Sequence, residues 1–154
     1  MARKKRQKLH VGDLFLVPLL DGTYTIGQIV SIEKEALNSV VCVFTATKVD
    51  GNSNDVTIDI NNIISVQFTT PDLLKSGDWP IVGNEMPVSV NNYINLDGLR
   101  MSGFIGVTVT GSGNIIELMN AYYGLSPWND FHDPNYLDSL LVSPDKKPKN
   151  VVYK

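Results

Sequence analysis

The densest group of chemically capable side chains is Trp128-Asn129-Asp130-Phe131-His132-Asp133, with a histidine between two carboxylates. A carboxylate beside an imidazole orients it and favours its charged form, which is what acid–base catalysis or metal ligation needs. Adjacent side chains on an irregular segment diverge, however, and Asp133 stands before Pro134, where a helix needs its cap. The segment therefore reads as structural first, with a hydrolase built on His132 and its carboxylates as a third functional class. No Gly-x-Ser-x-Gly elbow and no His-Glu-x-x-His pair occurs, so no conventional catalytic set can be named. Metal chemistry is equally poor in donors. The two histidines and Cys42 fall short of the four Cys or His ligands of a structural zinc site. Asp50-x-Asn52-x-Asn54 imitates the start of a calcium loop, yet its glycine lies at the second position and no glutamate occupies the twelfth. Gly111-Ser112-Gly113 ahead of a helix resembles a phosphate cradle, but Ile116 breaks the dinucleotide pattern and no Lys-Ser or Lys-Thr follows, so it reads as a plain turn. Cys42, inside the apolar run Ser39 to Ala46, reads as a buried structural thiol. No cofactor and no metal is implied.

The charge distribution says more. The chain has 154 residues and a net charge of -3, but Arg3, Lys4, Lys5, Arg6 and Lys8 all lie in the first ten residues with no acid among them. Without that segment and the tail from Asp145, four bases face 15 acids. Such a body repels phosphate backbones, which makes nucleic acid an unfavourable partner and a basic protein a favourable one. The basic start ahead of Leu14 to Leu20 does not read as a signal peptide, because Asp13, Pro18 and Asp21-Gly22 interrupt the pattern. No apolar run approaches the roughly 18 residues of a membrane helix, and a single cysteine suits a reducing cytoplasm.

The elements that would position these residues are mostly strands. Asp13 to Leu19 and Thr23 to Ile32 flank Asp21-Gly22, which predicts a type I′ hairpin, and Gly27 marks a bulge that would curve the sheet. Ser39 to Ala46 is apolar on both faces, as in a strand covered on both sides. Val56 to Ile60 and Ile63 to Phe68 read as a further pair, and residues 86 to 110 as weak strands at Pro87 to Val90, Tyr93 to Leu96 and Gly103 to Thr110. Thr70-Pro71 starts a short helix that Gly77 stops, and Trp79 reads as a core plug. Ile115, Leu118, Met119 and Tyr122 share a helical face, predicting a helix over 115 to 123 with Asn114 and Glu117 as a capping box and Gly124 as its stop. Asp133-Pro134 opens a last short helix, and Val151 to Tyr153 could pair as an edge strand.

The opening Val11-Gly12-Asp13-Leu14-Phe15-Leu16-Val17-Pro18, continuing through Asp21-Gly22 to Val30, resembles that of the immunity protein 26 family. So do Gly77-Asp78-Trp79-Pro80-Ile81-Val82-Gly83 and the stretch from Gly124 to Leu141. The resemblance implies a cytoplasmic antidote of a bacterial polymorphic toxin system and carries no catalytic residues with it. The expected fold is β-rich α+β: a curved antiparallel sheet or SH3-like barrel with one C-terminal helix and one or two short helices. The expected organisation is a flexible basic arm over 1–10, one globular domain over 11–144, and a polar tail over 145–154. The expected function is binding and occlusion of a cognate toxin domain, a basic nuclease being the best electrostatic match. Asp72, Asp78, Trp128, Asp130 and Asp133 are the candidate contacts. The alternative is an SH3-like or Tudor-like module for nucleic acid or peptide, using the basic arm and Tyr24.

Overall fold

The computed structural model describes residues 5–51 and 56–154. A sheet of six strands carries the chain: β1 (Asp13–Pro18), β2 (Tyr24–Glu33), β3 (Ser39–Val49), β4 (Ile63–Thr69), β5 (Ile81–Asn84) and β6 (Val109–Thr110). Their order is β5-β1-β2-β3-β4-β6. β1 to β4 form an antiparallel meander, β5 pairs antiparallel with β1, and β6 lies parallel to β4. Four short helices accompany it: α1 (Asp72–Ser76), α2 (Leu96–Met101), α3 (Ser112–Tyr122) and α4 (Tyr136–Leu140).

The fold is α+β as expected, but the sheet is open rather than an SH3-like barrel. Its end strands, β5 and β6, do not pair with one another. Curvature comes from register shifts in the β1–β5, β2–β3 and β3–β4 pairs, one of them at Gly27. Glycine is required at that position by close approach, since a Cβ would lie 2.5 Å from Phe15 Cζ and 2.9 Å from the Val43 carbonyl oxygen. The β1–β2 hairpin is present without the type I′ turn. Only Gly22 has a positive φ (+85°), whereas a type I′ turn needs two such residues. The reversal is longer, with the Leu19 N–H donating to Thr23 O and the Gly22 N–H to Leu19 O. Asp21 serves through its carboxylate, which Lys48 and the Thr23 hydroxyl and N–H bind, bringing its pKa down to about 2.

β3 is covered on both faces, as its sequence demands. Val40, Cys42 and Phe44 pack with Trp79, Leu118 and Trp128 on one side, while Val41 and Val43 pack with Phe68, Val90 and Leu96 on the other. Cys42 is fully buried, and burial pushes its thiol pKa far upward, so it is protonated and inert at neutral pH.

Several weaker expectations fail for identifiable reasons. Residues 56–59 are not a strand, and the described part of that stretch leads into a 3-10 turn at Ile60–Asn62. Asn52 to Asp55, and with them most of the calcium-loop imitation, lie outside the described residues. Residues 86–95 are irregular. Gln28, wholly buried on β2, holds this stretch by donating to the carbonyls of Glu85 and Met86 and accepting from the Val88 N–H. Side-chain hydrogen bonds thus replace the strand ladder. α2 follows because Asn95 caps it, accepting from the Gly98 N–H at 3.0 Å. Val152 forms one isolated parallel bridge with Pro127 instead of joining the sheet edge.

α2 is tied to the sheet by Arg100, whose guanidinium reaches Glu33 at 2.7 Å and Ser31 Oγ at 2.9 Å. Burial alone would raise the Glu33 pKa, but the hydrogen bonds from Arg100 and Ser31 outweigh it and hold the carboxyl below its ordinary range. A folded pKa below the unfolded one contributes stability that is complete above the ordinary glutamate range and is lost as the pH falls through the folded value. Arg100→Ala is expected to cost about 1–2 kcal/mol at pH 7, at the lower end for a charged hydrogen bond because Arg100 is half in water. In urea unfolding, the gap between wild type and variant should shrink as the pH falls below the ordinary glutamate range and on through the folded value of Glu33. A gap independent of pH would show that Arg100 does not act through the Glu33 charge.

Candidate functional site

α3 organises the surface that gathers most of the candidate residues. It buries Ile115, Leu118 and Met119 against the sheet and leaves Gly113 and Glu117 exposed. It begins earlier than the capping-box pattern predicts. The Ser112 N–H donates to Thr70 Oγ1 at 3.0 Å and the Ser112 hydroxyl donates to Asp72 at 2.8 Å, so the turn before Asn114 is already held. Asn114 is thereby released from capping and donates to the Tyr136 hydroxyl at 3.1 Å. Thr70 also donates to Asp72 Oδ1 at 2.6 Å, which lashes the starts of α1 and α3 together. Partial burial of Asp72 acts to raise its pKa, but the Thr70 and Ser112 hydroxyls and backbone N–H groups outweigh it and hold the carboxyl below its usual range. At the other end, Gly124 takes the left-handed conformation that the sequence predicts (φ +74°).

Two clefts flank α3. In the first, of about 370 Å³, Asp78 stands over Pro18, Leu73, Trp79 and Ile116. Asp78 follows the left-handed Gly77 and accepts from Ser76 Oγ at 2.5 Å. The second, of about 340 Å³, is formed by Asn114, Phe131, His132, Asp133 and Tyr136. Asp133 does not cap α4, which starts three residues later. It makes an Asx turn, accepting from the Asn135 N–H at 2.9 Å. Neither cleft is lined by a lysine or arginine among the described residues.

Asp72, Asp78 and Asp133 are therefore brought round one helix, although the first and the last are 61 positions apart. Glu117 belongs with them and was missed by sequence reasoning; its position opposite Ile115, Leu118 and Met119 on the helical wheel was the available signal. Asp130 stands apart in an exposed ion pair with Lys154 at 3.2 Å. Trp128 must be corrected as a surface contact. It is fully buried, its Nε1–H donates to Asp138 at 3.2 Å, and Lys147 lies 5.4 Å over its ring. A ring flanked by loop residues in sequence is drawn inward here because apolar area is worth more buried than exposed. Among the described residues His132 donates no hydrogen bond to either neighbouring carboxylate, which are engaged by Lys154 and the Asn135 N–H. No group of three or more His, Cys, Asp and Glu among the described residues is placed to hold a metal ion.

The first two sequence islands that suggested a family, at 11–30 and 77–83, have scaffold roles. Gly12, at φ +95°, lets the chain pass so close to Glu85 O that a Cβ would sit 2.4 Å from it. Asp13, nearly buried, accepts from the His10 N–H at 2.8 Å and from Asn84 Nδ2 at 3.0 Å, joining the start of β1 to the end of β5. Trp79 stacks on Phe15 with ring centroids 5.6 Å apart and meets Phe44 edge-on. The model for immunity protein 26 matches residues 10–95, the stretch that contains all of these contacts.

The chain belongs to the immunity protein 26 family.

Membership implies an immunity protein of a toxin system, with a protein toxin as its partner. Comparisons with curated proteins and with solved structures yield no match. Much of the acidic surface round α3 lies beyond the matched residues: α3 itself and Asp133 follow residue 95, whereas Asp72 and Asp78 precede it. No helix among the described residues is long and apolar enough to cross a membrane.

Proposed function

We propose that this protein neutralises a cognate toxin in the cytoplasm by seating the surface round α3 over the toxin's active site or substrate groove, without catalysis of its own. Membership of the immunity protein 26 family carries the reading. The arrangement at α3 supports its placement. Asp72, Asp78, Glu117 and Asp133 supply negative charge, and two clefts with apolar or aromatic walls supply pockets that a partner's side chains can fill. Charge of one sign steers a basic partner, while buried anchors set the lifetime of the complex. A nuclease, whose groove is basic because its substrate is anionic, fits best.

The test is survival of cells expressing the toxin domain encoded beside this gene, with and without this protein, together with titration of the purified pair at two salt concentrations. Rescue with stoichiometric binding that weakens as salt rises is the expected result. Failure to rescue from, or bind, a demonstrably active toxin overturns the reading.

A further inference from the structure

The bases of this acidic chain are unevenly used. Between residue 10 and the C-terminal tail there are four: Lys34, Lys48, Lys75 and Arg100. Lys48 is paired with Asp21 at 2.5 Å and Arg100 with Glu33 at 2.7 Å. Lys34 and Lys75, 41 positions apart, make no ion pair among the described residues, and both line the same cleft. Arg6 and Lys8 join them there, also without ion pairs among the described residues. The cleft measures about 510 Å³, and no carboxylate lines it. Four like charges round one concavity repel each other, a cost that an anion would reverse.

The arrangement is held by specific contacts. Within the basic N-terminal segment, Gln7 is bound through its backbone N–H and through both polar ends of its side chain. Its N–H donates to Lys75 O at 2.9 Å, its side-chain amide donates to Leu74 O at 2.8 Å and Trp79 O at 2.9 Å, and its Oε1 accepts from the Ile81 N–H at 2.9 Å. Gln7 thus locks its neighbours Arg6 and Lys8 beside α1. Lys34 comes from the β2–β3 turn, where Leu37 and Asn38 both hold positive φ (56° and 55°), a conformation that asparagine tolerates and leucine rarely adopts. Ser39 closes that turn, is 1% exposed, and is a wall residue of the cleft. Its Oγ has no hydrogen-bond partner, although buried hydroxyls are almost always satisfied. The rest of the wall is the polar pair Gln7 and Asn38 together with the apolar Leu9, Ile32, Val40 and Pro71.

We infer that this cleft binds a phosphate ester of nucleotide size, with its phosphates among Arg6, Lys8, Lys34 and Lys75 and its organic part against the apolar wall. Inorganic phosphate would leave most of the volume and all of the apolar surface unused, whereas 510 Å³ lies in the range of small-molecule sites. The inference stands independently of the toxin reading, since the cleft shares no residue with the two clefts beside α3.

Calorimetric titration of the full chain with ADP, adenosine and a single-stranded oligonucleotide at low salt tests it. ADP is expected to bind one to one and more weakly as salt rises, and adenosine not to bind. Lys34→Glu with Lys75→Glu is expected to weaken ADP at least about tenfold, because charge-assisted hydrogen bonds are lost and repulsion is gained. Both lysines are exposed, so the variant should keep the wild-type circular dichroism spectrum. Lys34→Gln with Lys75→Gln, which removes charge without reversing it, should fall between. Absence of ADP binding at millimolar concentration overturns the inference. So does equal affinity in the charge-reversed variant, equal binding of adenosine, or binding of the oligonucleotide without ADP.

Discussion

Trp79→Ala is expected to destabilise the protein by about 3–5 kcal/mol, a large share of the roughly 5–15 kcal/mol that holds a domain together. The indole is fully buried, lies parallel to Phe15 at 5.6 Å and meets Phe44 edge-on at 5.9 Å, so its removal opens a cavity between β1, β3 and α1. Those rings are close-packed on strands that cannot collapse into the space without breaking the ladder. Trp79→Phe should behave quite differently. The Nε1–H of Trp79 is buried without a hydrogen-bond partner, a defect that itself costs about 1–3 kcal/mol. Phenylalanine removes that donor while keeping an aromatic ring in the stack, so the net loss should stay below about 1.5 kcal/mol. Urea unfolding of the two variants decides the matter. Equal losses would mean that the indole N–H is satisfied in solution and that ring size alone governs the site. Because Trp79 also floors the cleft containing Asp78 and Ile116, the alanine variant should lose toxin binding in proportion to its unfolding, whereas the phenylalanine variant should retain it.

The parts of this fold that could be read from sequence are those in which one local signal suffices. A strand covered on both sides declares itself as Ser39 to Ala46, a hairpin as Asp21-Gly22 between apolar alternations, and the inner face of α3 as Ile115, Leu118, Met119 and Tyr122. Legibility ends where long-range contacts decide. β5 and β6 are short, and each exists because a distant strand offers an edge. Residues 86–95 are placed by Gln28, about 60 positions earlier in the chain, and α2 is tethered by Arg100 to Glu33. Cap positions shifted for the same reason: Thr70 and Asp72 reach across to Ser112, which a local capping-box pattern cannot foresee. The candidate contacts divide likewise. Acidity predicted that Asp72, Asp78 and Asp133 would face solvent, but not that α3 would collect them, and nothing local distinguished Trp128 as an inward ring from one displayed on a loop. The four cations of the basic cleft are the extreme case, drawn from the N-terminal segment, a turn and a helix.

If the surface round α3 meets a basic toxin groove, Glu117→Lys with Asp133→Lys should slow association about 10- to 100-fold at low ionic strength and change dissociation only a few-fold. The asymmetry follows from where these groups sit. Both are exposed, and rim charges act mainly on the diffusional encounter, whereas the rate of escape depends on what fills the clefts lined by Ile116 and Phe131. Asp72 is left untouched because its hydrogen bonds with Thr70 and Ser112 join α1 to α3, so its loss would confound folding with binding. The proper comparison is Glu35→Lys with Asp97→Lys, an equal change of net charge placed on the β2–β3 turn and on α2, away from α3. Stopped-flow association measured against salt separates the possibilities. Slowing confined to the α3 pair, and fading as the Debye length shrinks from about 30 Å at 0.01 M towards about 8 Å at 0.15 M, locates the interface. Equal slowing by both pairs would mean that the protein's overall charge does the steering and that the docking surface lies elsewhere.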